Sequence, residues 1–110
     1  MNQSEINWKS GEVVIWGLDD LDLVKPLDSQ MDILREDLVL VKFLKYTLLD
    51  LGWYPEFDSN GHFVLTVVQC KHNNCEDWEN PILKLKFRDM SQFMQNLNQA
   101  IEGADRLAST

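Results

Sequence analysis

The stretch HFVLTVVQ, His62 to Gln69, constrains this chain more than any other. Read as a strand, it sends Phe63, Leu65 and Val67 to one face and Val64 and Val68 to the other. Apolar groups on both faces predict a central strand. Asn60-Gly61, at the end of the turn Asp58–Gly61, is a strong hairpin signal. Before that turn, Trp53–Phe57 reads as a short strand, and Pro55 argues for an edge or an irregular start. After a polar loop, Cys70–Pro81, the stretch Ile82–Arg88 alternates cleanly. Leu83, Leu85 and Phe87 point inward, and Lys84, Lys86 and Arg88 outward. Gly11–Trp16, rich in Val and Ile with a closing Trp, predicts a first strand.

Two helices are expected between and after these strands. Met31, Leu34, Leu38, Val41, Leu44, Leu48 and Leu51 recur at steps of three and four. Ser29 suits the N-cap, Asp32 the first turn and Gly52 the stop. Asp89, with Gln92 at the capping-box position, opens a last helix. Its apolar face is Met90, Phe93, Met94, Leu97, Ala100, Ile101 and Ala104. The expectation is a single α+β domain over residues 1–110, in β-α-β-β-β-α order. It would be an antiparallel sheet of about four strands with two helices packed on one face. Leu38, Val41, Leu65, Leu85, Phe93 and Leu97 should form its core. With 45% hydrophobic residues, a chain of this length can bury one without disulfides or metal.

The net charge is −8, and it is unevenly spread. Residues 1–58 hold 12 acids against 5 bases; the remainder holds 6 against 5. Such a surface repels nucleic acid and anionic membranes and attracts basic proteins. Gly17–Asp32 alone carries Asp19, Asp20, Asp22, Asp28 and Asp32 against Lys25. It lacks the central Gly and distal Glu of a calcium loop. Cys70, His72 and Cys75 share one loop, but no second ligand pair follows, so two reduced thiols are expected and no metal or cofactor. No phosphate-binding glycine loop, nucleophile elbow or zinc-protease motif is present, so the chain is expected to bind and not to catalyse. A polar N-terminus and the lack of an apolar run of about 20 residues predict a cytoplasmic protein.

The aromatic residues sharpen the binding expectation. Trp53 and Tyr54 are adjacent, so in a strand they face opposite ways and one points away from the helix layer. Trp78 is flanked by Glu76, Asp77 and Glu79. It either tucks its loop onto the core or forms an aromatic anchor ringed by acids, as a hot spot for a basic partner would be built. The expected partner-binding residues are Asp19, Asp20, Asp22, Trp53, Glu76, Asp77, Trp78 and Glu79.

The passage LLDLGWYPEFDSNGHFVLTVVQ, followed by DWENPI and the final amphipathic helix, resembles small immunity proteins of contact-dependent growth-inhibition systems. The matching parts are Gly52-Trp53-Tyr54-Pro55, Asn60-Gly61 with Phe63, and Asp77-Trp78 with Pro81, over roughly residues 48–105. CKHNNC departs from the pattern as a longer loop. The resemblance implies a cytoplasmic inhibitor, a monomer or weak dimer when free, that binds a cognate basic toxin domain. Many such toxins are nucleases, and their inhibitors block the active site or a surface beside it. It implies no nucleic-acid or membrane partner. Two alternatives stand beside it. One is an acidic nucleic-acid mimic or adaptor for a DNA- or RNA-handling protein. The other is a metal-binding protein or metal-dependent enzyme centred on Cys70, His72 and Cys75.

Overall fold

A computed structural model describes residues 1–70 and 78–110. His62–Gln69 is central, as its two apolar faces require. This strand, β4, pairs with β3 (Thr47–Tyr54) on one side and β5 (Leu83–Phe87) on the other. β1 (Glu12–Trp16) and β2 (Val39–Phe43) complete a five-stranded antiparallel sheet in the order β1-β2-β3-β4-β5. The helix α1 (Phe93–Ser109) packs across one face, so the fold is α+β. Among the described residues, no helix is long and apolar enough to cross a membrane.

The expected helix over Met31–Leu51 is a correction. Its second half is the β2–β3 hairpin, paired from Val39↔Leu51 to Phe43↔Thr47. Leu38, Val39, Val41, Leu49 and Leu51 are buried, but along strands. Leu44, a member of the supposed helical stripe, is 69% exposed at the reversal. There Lys45 and Tyr46 take φ of 58° and 56°, the left-handed region that bends a chain sharply. Three turn residues between two period-2 runs reproduce steps of three and four, which is why a hairpin passed for a helix. The first half is a 3-10 segment, Leu27–Ile33, kinked at Gln30. Leu27, Met31 and Ile33 pack against the core.

The core lies between the sheet and α1. Phe63 is its hub: its ring lies 5.0 Å from Trp53, 5.2 Å from Phe87 and 5.2 Å from Phe93. Ala100, Ala104 and Ala108 let the helix approach the sheet closely, and Phe93, Leu97 and Ile101 fill the space around them. Of the expected core residues, Leu38, Val41, Leu65, Phe93 and Leu97 are buried and Leu85 is partly so. Asp89 does cap, although its carboxylate serves a 3-10 turn, Met90–Gln92, that leads into α1.

Gly52 is not a helix stop but a point of backbone crossing. The segment 34–38 runs beside the end of β3, with Trp53 N–H donating to the Arg35 carbonyl (2.9 Å) and Phe57 N–H to that of Leu34 (2.7 Å). A Cβ on Gly52 would stand 2.0 Å from the Glu36 carbonyl oxygen. Gly52→Ala should therefore cost about 3 kcal/mol or more, a loss that a thermal or denaturant melt will register. The reversal at Lys45 and Tyr46 makes the opposite prediction. Replacing the pair by Asn-Gly, residues at ease with φ > 0, should raise stability by about 1 kcal/mol in the same assay.

Candidate functional site

The sheet alternates, so whatever β3, β4 and β5 do not send toward α1 they present on the other face. Asp50 and Tyr54 come from β3, His62, Val64 and Thr66 from β4, and Lys84 and Lys86 from β5. With Asp37 and Trp78 they line a hollow of about 510 Å³. Register fixes the layout. Asp50, Thr66 and Lys84 form one row across three strands, and Tyr54 lies opposite His62.

The hollow's charges are segregated. Asp50 is half-buried, and its carboxyl is pushed up to about 6, first by burial and then by the charge of Asp37. The Tyr54 phenol is pushed up to about 12 by burial, and then by the charges of Asp50, Glu36 and Asp37. Its hydroxyl donates to the Glu36 carbonyl at 3.4 Å. Both shifts come first from burial, and the carboxylates on the β3 side of the hollow add to each. Trp78 lies at this site, 38% exposed.

A second hollow, about 580 Å³, holds the acidic segment. Asp19, Asp20 and Asp22 line it with Glu5, Leu21 and Met94. The segment is held in shape, and the buried Gln30 is the organiser. Its side chain accepts from Asp22 N–H (2.7 Å) and donates to the Asp22 carbonyl (2.9 Å). The N-terminal amine donates to the carbonyls of Asp19 (3.0 Å) and Leu21 (2.8 Å). Leu18 and Leu21 anchor the loop in the core. Asp19 accepts from the Trp16 indole (2.7 Å), and Asp22 from Val24 N–H (2.9 Å), which leaves Asp20 the simplest charge to change.

The structure thus divides the residues expected to act together. Asp19, Asp20 and Asp22 line one hollow and Trp78 the other, and the two share no residue. Trp53 requires correction as a surface contact. Its place in β3 turns it inward, where it is 0% exposed and its indole donates to the Asp58 carbonyl at 2.8 Å. Its neighbour Tyr54 is the aromatic that faces away from the helix. Glu79 is exposed. Glu76 and Asp77, like His72 and Cys75, lie outside the described residues. Cys70 is buried at the end of β4, with its N–H donating to the Tyr46 carbonyl (3.1 Å). Among the described residues, no group of three or more His, Cys, Asp or Glu is placed to hold a metal ion.

Sequence reasoning missed Asp37, Asp50, Tyr54, His62 and Thr66 as a group. Only the β3 register brings Asp50 into line with Thr66, and the periodicity through Leu51 assigns that part of β3 to a helix. No family model, curated protein or solved structure matches this chain.

A carboxyl whose folded value lies above its ordinary 3.8 keeps its proton in the folded state where the unfolded chain has lost it. Asp50 therefore lowers stability as pH rises from about 4 through about 6, and the loss persists above that. Asp50→Asn should raise stability at neutral pH by roughly 1–2 kcal/mol once solvent screening is allowed for. The gain should vanish below about pH 4, where both states are protonated. Paired melts across that range will check it.

Proposed function

We propose that this chain is an immunity-type inhibitor that binds a cognate basic toxin domain, a nuclease with a cleft built for phosphates, and neutralises it in the cytoplasm by occupancy and not by catalysis. The observation that carries the reading is the sheet face turned away from α1. There a partly exposed Trp78 adjoins a hollow with Asp37 and Asp50 along one side, in a chain of net charge −8. An aromatic anchor beside one half-buried and one exposed acid suits a basic protein partner. The acidic segment Asp19, Asp20 and Asp22, held by Gln30, adds fixed negative charge that would steer the encounter. The likeness of Gly52-Trp53-Tyr54-Pro55 and Asp77-Trp78 to contact-dependent growth-inhibition immunity proteins supports the same conclusion.

Because steering and anchoring fall on separate hollows, they should separate kinetically. Asp20→Lys should mainly slow association and flatten its salt dependence, since exposed charges act over about 8 Å at physiological salt. Trp78→Ala should mainly speed dissociation, by an amount equivalent to about 2 kcal/mol or more. Surface plasmon resonance against the toxin domain encoded immediately upstream measures both, and a melt of each variant excludes unfolding. If the protein neither binds that domain nor protects cells that express it, the proposal fails.

A further inference from the structure

The sheet hollow has two sides of opposite sign. Asp37 and Asp50 stand at one side, Lys84 and Lys86 on β5 at the other, with Thr66 between them. Adjacent strands lie about 4.8 Å apart, so the backbones of Asp50 and Lys84 are separated by roughly 10 Å. At about 510 Å³ the hollow can take one long side chain and part of its neighbour. The Asp50 carboxylate is half-buried and accepts no hydrogen bond from the described residues, and the charge that raises its value is another carboxylate, Asp37. A partly buried carboxylate beside a second, exposed one gains most from a cation that brings several N–H groups at fixed angles, which is a guanidinium. The rings of Tyr54 and Trp78 also line the hollow, and guanidinium stacks on such faces where a hydrated ammonium does so less readily.

We infer that this hollow receives an arginine side chain of the protein partner, with its guanidinium against Asp37 and Asp50 and beside the rings of Tyr54 and Trp78, while Lys84 and Lys86 select an acidic residue next to that arginine. The inference rests on the reading of the chain as a binder of a basic protein, and it names the group that is recognised. The charged and titratable groups facing Asp50 are Asp37 from the segment before β2, Tyr54 from its own strand, His62 from β4, and Lys84 and Lys86 from β5. Asp50 must be ionised to hold the cation, so binding should weaken as pH falls through about 6.

The test is an NMR titration of the full chain with N-acetyl-arginine amide, with the lysine and norleucine analogues as controls. The arginine probe should shift the Gly52 and Thr66 amides and the Trp78 indole saturably, and the lysine probe should bind several-fold more weakly. Asp50→Asn should weaken arginine binding by about tenfold or more and abolish its pH dependence, whereas Glu102→Gln, an exposed position on α1, should leave both unchanged. His62→Gln should retain the pH dependence, which separates Asp50 from the imidazole. Shifts no larger than those from norleucine, or shifts indifferent to Asp50→Asn, would overturn the inference. The probe contains no toxin, so the two readings fail separately. Arginine binding without toxin binding sinks the immunity reading alone, and protection of cells without arginine binding sinks this one alone.

Discussion

The β3–β4 ladder is the constraint on which everything else depends. It runs through eight residue pairs, from Thr47↔Gln69 to Tyr54↔His62, without a break in register. One face of it delivers Leu49, Leu51, Trp53, Phe63, Leu65 and Val67 to the core, and the other delivers Asp50, Tyr54, His62 and Thr66 to the hollow. Core and candidate site are the two sides of one ladder. A slip of a single residue would turn Asp50 into the core and Trp53 into solvent, so the hydrophobic demand of the core also fixes the position of the site.

How much was legible in the sequence follows from where local signals and tertiary context agreed. β5 and α1 were readable because each shows one period over its whole length, and β4 because it is apolar on both faces; the core residues drawn from them are buried or partly so. β1 was readable from its Val, Ile and Trp content. The β2–β3 hairpin was not, because its reversal uses Leu44, Lys45 and Tyr46, with no Gly or Asn to mark it. Gly52 supplied a false stop signal, since its missing Cβ serves a crossing backbone that only the folded chain reveals. With the start of β3 assigned to a helix, nothing told which of Trp53 and Tyr54 faces the core, and Asp50 had no visible neighbours. The acidic segment was legible as charge but not as a shaped loop, because the part played by Gln30 depends on contacts across eight residues.

The lysines of β5 show how one feature can serve two ends. Among the described residues β5 pairs with β4 alone and stands at the end of the sheet, the kind of edge that can template pairing with a passing strand. Lys84 and Lys86 on such an edge discourage that pairing. They also give the hollow its positive side, so the proposed partner would have to match both signs in a fixed order. A uniformly acidic surface would attract any basic protein; segregated charge adds repulsion against most of them, which is how selectivity among cations is obtained.

Asp50 would connect stability with the proposed binding. In the free protein its ionised form is disfavoured by burial and by Asp37, so at neutral pH the fold carries a charge that destabilises it. A bound cation would offset that cost directly, and any ligand that binds only the folded state stabilises it further by mass action. The residue that weakens the isolated chain is therefore the one from which the proposed partner gains most. Removing it should move the two properties in opposite directions, toward a tougher fold and a poorer binder. A side chain retained only for packing would not divide its effects that way, since its loss would weaken both.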